Sequence, residues 1–396
     1  MSITANQVLQ FRLRAHHLDR KRPLSRLEDV AGACGLQNSP PGAWETALFF
    51  RLEGCTRAHL ESALYQEKRL LQAWSYRGAP VVFPATQSAV FLSALAAHEG
   101  EAPWIYTRGI SLALDALQLN FETLLAHTVQ AAALLDNRAI VRKEALDRAL
   151  AQAIESDLPA SRLAAWRAPS MYDTKGGGQT VGEAAVSFLL RPCSFLGRVV
   201  FGERQGACPT FTSYRNWLGR ELTDIPDASQ ALARKFLHCY GPTTPGALET
   251  WLGCSPRQAK RIWHSVEDEI EPVLLDDKRR YILAQDQAAL AVPADDAGTI
   301  RLLGPHDPYL DARDRELLLP DAAQRKRIWK TVGNPGVILK DGKIAGQWTA
   351  KSQSHQMSAT YSLFEPCSTA QIAAIQQEIE AYASFRGLQL ATLSEV

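Results

Sequence analysis

Any chemistry in this chain is expected to lie in the segment Cys34–Gly42 (CGLQNSPPG), which carries the amides of Gln37 and Asn38 and the hydroxyl of Ser39. A side-chain amide accepts a hydrogen bond through its carbonyl oxygen, and its dipole can face a developing positive charge. Such a group can orient a water molecule without being charged itself. From residue type alone, Gln37 is more typical of a loop and Ser39 of a helix N-cap.

The elements around this segment follow from local patterns. We predict a first helix that ends at Gly35, a second that begins with Ser39-Pro40, and a third that begins at Thr56. Residues 72–84 have the composition of strands. Three short helices followed by strands are the order of a winged helix, a module that commonly docks on DNA.

The same order recurs along the chain, and the last part differs because a hairpin signal surrounds Asp341-Gly342 and a capping pattern begins at Ser368. The predicted fold class is α+β and mainly helical. It consists of three tandem winged-helix units and a C-terminal β-hairpin/α segment, arranged around a DNA-binding cleft. The predicted domains are 1–84 (first winged helix with an N-terminal basic helix and Gln37), 85–225 (helical linker and second winged helix), 226–297 (third winged helix) and 298–396 (β-hairpin and closing helix).

Four segments resemble the AlkZ/YcaQ-type DNA glycosylases. They are GLQ followed by a helix, RAHLESALYQEKRLLQAWSYRG, RPCSFLGRVVFG and HDPYLDARDR. The resemblance covers roughly residues 7–387 and implies tandem winged helices that remove N7-alkylated purines, in some members from interstrand cross-links. The family carries a Gln-x-Gln or Gln-x-Asp pair at the head of a helix. The matching tripeptide here is Gln37-Asn38-Ser39, so the third position is a serine.

The implied reaction suits a neutral side chain. Alkylation at N7 makes a purine cationic, so the base need not be protonated before it leaves; the enzyme must place a water near C1′ and stabilise a cationic sugar. The resemblance therefore implies that Gln37 orients the water, with Asn38 or Ser39 as a second polar partner, in a monofunctional enzyme without a cofactor. One alternative is a non-catalytic DNA-binding protein, a lesion binder or regulator, in which Ser39 marks lost catalysis. A winged-helix scaffold for other proteins is a third.

The net charge of +1 gives no general attraction to nucleic acid, but basic residues are clustered. Residues 12–26 contain six Lys/Arg and one acid, and residues 301–351 contain ten against six. Such clusters can bind phosphate on a near-neutral protein, although they are also typical of solvated surface charge. The predicted partner is double-stranded DNA with alkylated purines, with no membrane and no obligate protein partner. The DNA-contacting candidates are Arg12, Arg14, His16, His17, Arg77, Lys175, Arg313, Arg315, Lys340 and Lys343.

Some of these candidates have structural alternatives. An ion pair between Asp307 and Arg315 is the favoured interpretation of that motif. Arg77 could contact a phosphate or pair with a carboxylate. Trp74, Tyr76 and Trp104 could stack on bases, but aromatic residues at such spacing are more often part of the core.

The cysteines and histidines predict no metal site. The seven cysteines show no C-x-x-C or zinc-type spacing and are expected to be reduced thiols. His16 and His17 are adjacent on a predicted helix, so their side chains point about 100° apart, and no third ligand is in register. Because no apolar run reaches the length of a membrane span, the predicted location is the cytoplasm, with association to the nucleoid when bound to DNA.

Overall fold

A computed structural model describes residues 1–101, 105–174, 176–293 and 298–396. These residues form two compact units and mix helices with strands, which confirms that part of the predicted fold class. None of the helices in this part of the chain combines the length and the apolar character needed to cross a bilayer. The first unit contains Met1–Gln66, Ala233–Ala247 and Ser265–Val396, and the second contains Glu67–Leu232 and Leu248–His264.

The first unit holds most of the strands. Its helical segments are Ala5–Ala15, Leu24–Arg26, Leu27–Gly32, Ala43–Phe49, Arg57–Glu61, Ser62–Gln66, Glu267–Glu269, Ala284–Ala291, Pro308–Asp311, Arg315–Leu318, Ala322–Ile328 and Thr369–Phe385. Its strands are Ser2–Ile3, Leu36–Gln37, Ile270–Leu275, Lys278–Leu283, Ile300–Leu303, Gly336–Lys340, Lys343–Gln353, Gln356–Leu363 and Gln389–Glu395. The helices Ala228–Tyr240 and Pro245–Leu252 each include residues of both units.

A five-stranded sheet organises the C-terminal part of the first unit. Its strands lie side by side in the order in which they occur in the sequence, from Ile300–Leu303 to Gln389–Glu395. Neighbouring strands are antiparallel except for the last one, which runs parallel to Gln356–Leu363. The helix Thr369–Phe385 packs Ile375 and Ile379 into a core shared with this sheet. The sequence patterns predicted the hairpin and this helix but not the other three strands, Ile300–Leu303, Gln356–Leu363 and Gln389–Glu395.

A smaller sheet joins the N-terminus of the first unit to the beginning of its last segment. Ser2–Ile3 pairs in parallel with Ile270–Leu275, which pairs with Lys278–Leu283 in a hairpin. Ile3 and Val8 pack with Val273 in one apolar cluster. The N-terminal helix is therefore anchored on this hairpin.

The second unit is built around the helix Val181–Phe195, which contacts the helices before it. Its further helical segments are Tyr76–Gly78, Ala85–Gln87, Ser88–Phe91, Ser93–Leu95, Ile105–Ile110, Ser111–Leu117, Phe121–Ala131, Ala132–Asp136, Lys143–Glu155, Ala160–Arg167, Tyr214–Leu218 and Pro256–His264. Its strands are Leu70–Trp74, Pro80–Pro84, Ile140–Val141, Val200–Phe201 and Thr210–Thr212.

Local signals located several element ends correctly. Thr56 accepts from the amide of His59 and caps the helix that follows. Ser368 and Gln371 form the predicted capping box. The turn Asp341-Gly342 has positive φ at both residues, as a tight two-residue hairpin requires.

The predicted helix start at Ser39-Pro40 is wrong. The helix begins at Ala43, with Gly42 as its N-cap residue at φ +91°. The run Ser39-Pro40-Pro41 explains the difference, because a residue that precedes proline is disfavoured in the α-helical region. Pro40, the expected first helical residue, itself precedes Pro41, so the helix does not begin there.

Candidate functional site

Gln37 ends a short strand, and its side chain is partly exposed. Its Nε2 donates a hydrogen bond of 3.0 Å to the backbone carbonyl oxygen of Ser39. A carbonyl oxygen can only accept, so this bond selects the NH₂ side of the amide and fixes the direction of Oε1. The Gln37 amide is thus held in one orientation at the surface of the protein.

Asn38 and Ser39 have different environments. Asn38 is 8% exposed, and its Oδ1 accepts from the backbone amide of Gly42 at 2.7 Å. That bond satisfies a donor at the start of the next helix, which is the role the sequence assigned to Ser39. Ser39 is exposed and contributes its backbone carbonyl to Gln37. Asn38 therefore stabilises the conformation of the loop, and the loop holds the Gln37 amide at the surface.

Asn38→Ala is expected to lower the free energy of unfolding by about 1 kcal/mol, since it leaves the Gly42 amide without its acceptor. Thermal unfolding followed by circular dichroism measures this. Ser39→Ala is the matched control, because its exposed hydroxyl should change stability by less than about 0.5 kcal/mol. Equal losses in the two variants would contradict the capping role of Asn38.

A cavity of about 230 Å³ lies beside this loop. Pro40 and Gly42 form one side, and Trp348, Tyr382 and Arg386 are among the residues on the other. Arg386 donates to the Tyr382 hydroxyl at 3.0 Å. The loop thus borders a space lined by aromatic rings and a guanidinium group.

A basic pocket of about 500 Å³ lies at the surface of the first unit; we define it by Arg14, His17, Arg20, Lys21, Arg22, Pro23 and Arg26. The charge run of residues 12–26 indicated this region, but the individual candidates missed Arg20, Lys21, Arg22 and Arg26. Arg20 is exposed, and Lys21, Arg22 and Arg26 form ion pairs with Glu378, Asp19 and Asp29. A concave surface with this charge attracts anions such as phosphate.

His17 lies in the basic pocket as a neutral ring. Burial and, after it, the nearby positive charges of Arg22 and Arg51 together lower the pKa of His17 to about 4, although the carboxylate of Asp19 acts in the opposite direction. At neutral pH the ring therefore carries no charge, so it can contact phosphate only as a hydrogen-bonding group.

Arg12 and His16 lie in the interior. Arg12 is 2% exposed and forms a two-point ion pair with Asp314, with both N–O distances 2.8 Å. Burial raises the pKa of Asp314, but the charge and hydrogen bonds of Arg12 outweigh it and hold that pKa below its ordinary value. His16 is 2% exposed and bonds to the carbonyl of Cys239. We therefore remove Arg12 and His16 from the DNA-contacting candidates.

The expected ion pair between Asp307 and Arg315 is wrong. Asp307 instead pairs with Arg51 through two bonds of 2.7 Å, and both side chains are almost completely buried. Arg315 lies over the ring of Trp329 at 4.7 Å. Burial, followed by the charge of Arg313, lowers the pKa of Arg315. Two acids of this motif, Asp307 and Asp314, thus bind arginines from the N-terminal part of the chain.

The other DNA-contacting candidates lie at several places on the surface. Arg77 is half-buried, donates to the carbonyl of Trp251 at 3.3 Å and adopts φ +57°. Arg313 is exposed. Lys340 pairs with Glu365 at 3.2 Å, while Lys343 is exposed. Lys175 and the stacking candidate Trp104 lie outside the described residues.

The hairpin turn between Lys340 and Lys343 faces the protein. A Cβ on Gly342 would lie 3.1 Å from the Cβ of Leu9, and the carboxylate of Asp341 accepts from the amides of Gly298 and Thr299. The exposed end of the sheet is instead the next turn, residues 350–356.

Trp74 and Tyr76 are core residues. Trp74 is 4% exposed and stacks on Phe211, and Tyr76 is 1% exposed and stacks on Trp251. Their rings are already in contact with other rings and are not presented to a base.

The family model of the AlkZ-like DNA glycosylases matches residues 30–385, and the chain belongs to this family. Its structure is similar to that of the Streptomyces sahachiroi DNA glycosylase AlkZ, with a TM-score of 0.76, 20% sequence identity and full coverage of both chains. At this identity, the likeness shows a common fold. None of the curated proteins compared with the chain matches it.

Proposed function

We propose that this chain is a DNA glycosylase that hydrolyses the N-glycosidic bond of N7-alkylated purines in double-stranded DNA, including bulky adducts or interstrand cross-links. Family membership supports the reaction class. The observation that carries the proposal is the Gln37 amide, which is partly exposed and held by the Ser39 carbonyl. It occupies the first position of the family's Gln-x-Gln/Asp pair.

In the proposed reaction, Gln37 Oε1 accepts a hydrogen bond from a water molecule and aims its oxygen at C1′. The bond between C1′ and the purine nitrogen breaks, and its electron pair neutralises the cationic base as it leaves. The water oxygen forms the new bond to C1′ and passes its proton to solvent. The amide dipole faces the positive charge that develops on the sugar. The products are the free base and an abasic site.

Gln37 acts in this scheme as the catalytic residue, and Asn38 and Ser39 act as positioning residues. Asn38 fixes the loop through Gly42, and the Ser39 carbonyl fixes the amide. Ser39, at the third position of the tripeptide, therefore orients Gln37 through its backbone carbonyl. Any residue type at this position would provide the same carbonyl.

The proposed DNA interface includes the basic pocket and the exposed candidates Arg313 and Lys343. The winged-helix units and the DNA-binding cleft are part of this proposal. The helices Ala228–Tyr240, Pro245–Leu252 and Pro256–His264, followed by the hairpin of Ile270–Leu275 and Lys278–Leu283, have the element order of such a unit. The proposed location is the cytoplasm, on the nucleoid.

Arg20→Ala is expected to weaken duplex binding and to reduce the slope of log K against log salt concentration by about 1, because one phosphate contact is lost. Arg138→Ala is the matched control, since Arg138 is exposed but lies outside the basic pocket. Fluorescence anisotropy with a labelled duplex at several salt concentrations measures both quantities. The same slope in the two variants would remove Arg20 from the interface.

Incubation with duplex DNA containing 7-methylguanine tests the function. Release of the free base and formation of an alkali-labile abasic site are expected, and a nitrogen-mustard cross-link tests the bulkier substrate. The second candidate, a non-catalytic DNA-binding protein, is favoured by the basic pocket and by Ser39 in place of the family's second amide or acid. It predicts salt-dependent binding without base release.

A further inference from the structure

A cluster of possible metal ligands lies in the interior of the first unit, and the proposed excision reaction does not use it. The ligand atoms of His16, Cys34 and Cys239 all lie within 4.8 Å of one another. The side chains are 2%, 2% and 0% exposed, and Cys34 Sγ lies 3.9 Å from His16 Nδ1. The sequence does not show the usual spacing of zinc ligands for this cluster, because His16 is 18 positions from Cys34 and 223 positions from Cys239.

The His16 ring is oriented as a metal-binding histidine usually is. Its Nε2 lies 3.0 Å from the backbone carbonyl oxygen of Cys239. Because the carbonyl only accepts, Nε2 carries the proton and Nδ1 presents its lone pair to the sulfurs. Metal-ligating histidines donate their other N–H to such a carbonyl, which fixes the tautomer. The rings of Tyr240 and Tyr309 pack edge-on against the imidazole at 5.2 and 5.4 Å and hold it in place.

The separation between the Cys34 and His16 ligand atoms is close to that around a tetrahedral ion. Zn–S bonds of about 2.3 Å and Zn–N bonds of about 2.0 Å at tetrahedral angles place neighbouring ligand atoms roughly 3.5–3.8 Å apart. The separation of Cys34 Sγ from His16 Nδ1 is 3.9 Å. The Tyr240 hydroxyl lies 3.8 Å from Cys34 Sγ and donates its proton to the Pro308 carbonyl at 2.9 Å. The Tyr240 hydroxyl thus lies beside the cluster.

The number and type of ligands suit a divalent ion. Two thiolates balance a divalent ion, so a filled site brings no net charge into the interior. Sulfur and imidazole ligands suit soft or borderline ions, of which Zn²⁺ is the usual choice in proteins.

We propose that His16, Cys34 and Cys239 bind one Zn²⁺ ion in a structural site. On binding, both thiols give their protons to solvent and form Zn–S bonds, and His16 Nδ1 forms the Zn–N bond. The ion connects three segments of the first unit. His16 lies at the end of the N-terminal helix, Cys34 in the segment before the Gln37 loop, and Cys239 in the last turn of the helix Ala228–Tyr240. The site stabilises the first unit and takes no part in base excision.

Cobalt titration of the full-length, metal-free protein under reducing conditions tests the proposal. One Co²⁺ per chain should bind, with a thiolate-to-cobalt charge-transfer band in the near ultraviolet and the visible bands of tetrahedral cobalt. Addition of Zn²⁺ should remove both signals and raise the melting temperature above that measured in EDTA. Absence of the charge-transfer band and of the shift in the wild-type protein would overturn the assignment, whether or not the protein releases bases.

Variants locate the site. Cys239→Ala and His16→Gln should lose the charge-transfer band or its one-to-one stoichiometry, and Zn²⁺ should no longer raise their melting temperatures. Cys193→Ala, which removes an equally buried thiol of the second unit, should keep both responses. Each variant is compared with itself in EDTA, so a lower intrinsic stability does not obscure the result. Retention of both responses in Cys239→Ala, or a disulfide between Cys34 and Cys239 in the isolated protein without bound metal, would contradict the proposal.

Discussion

Gln37→Ala is expected to lower the rate of 7-methylguanine release by about 100-fold, the size of effect that follows when one oriented polar group is removed from the transition state. The loss arises because a methyl group neither accepts from the attacking water nor faces the developing charge on the sugar. The affinity for duplex DNA should stay the same, since a neutral amide contributes no phosphate contact. Single-turnover base release and fluorescence anisotropy measure the two quantities on the same substrate.

Two neighbouring variants serve as controls for this experiment. Ser39→Ala removes an exposed hydroxyl but keeps the carbonyl that orients Gln37, so its rate should remain within a few-fold of the wild type. Gln37→Glu keeps the length of the side chain but removes the Nε2 donor to Ser39, and it should also be slow because the carboxylate loses that anchor. A wild-type rate in Gln37→Ala would exclude the amide from the mechanism. A rate lost equally in Ser39→Ala would assign the catalytic role to the hydroxyl.

Local sequence signals located the loop correctly but misplaced the groups within it. The turn at Asp341-Gly342 and the capping box of Ser368 and Gln371 depend on residues within four positions of each other, and the structure contains both. Ser39 is not the N-cap because the helix begins three residues after Pro40, and Asn38 instead accepts from the amide of Gly42, the residue that precedes the helix. The sequence could therefore identify the segment that holds Gln37, but only the folded loop shows which group orients its amide.

Pairs that join distant parts of the chain were not predictable from single-sequence patterns. The N-terminal basic run was interpreted as surface charge, yet Arg12 lies 302 positions from its partner Asp314 and is buried. Arg51 lies 256 positions from Asp307. The zinc ligands proposed above have the same property. A guanidinium that will be desolvated looks the same in the sequence as one that faces water, because burial is decided by the tertiary fold.

Asp307→Ala is expected to lower the free energy of unfolding by about 3–5 kcal/mol, since it leaves the Arg51 guanidinium in the interior without its carboxylate. Arg51 also donates to the backbone carbonyls of His16 and Ala47, but neither carries the charge needed to balance it. Urea unfolding followed by circular dichroism measures the loss. Glu61→Ala is the control, because its pair with Arg57 is exposed and should contribute less than about 1 kcal/mol.

Asp307→Asn tests the charge of this side chain separately from its hydrogen bond to the backbone amide of Tyr309. Asp307 Oδ1 also accepts from the amide of Tyr309, and an asparagine can keep that cap. Asp307→Asn should therefore recover about 1 kcal/mol relative to alanine and remain far below the wild type. The double variant Arg51→Met/Asp307→Leu should be more stable than Asp307→Ala, because it leaves no unpaired charge in the core. If Asp307→Ala unfolds within about 1 kcal/mol of the wild type, the buried pair does not hold the C-terminal motif on the N-terminal segment.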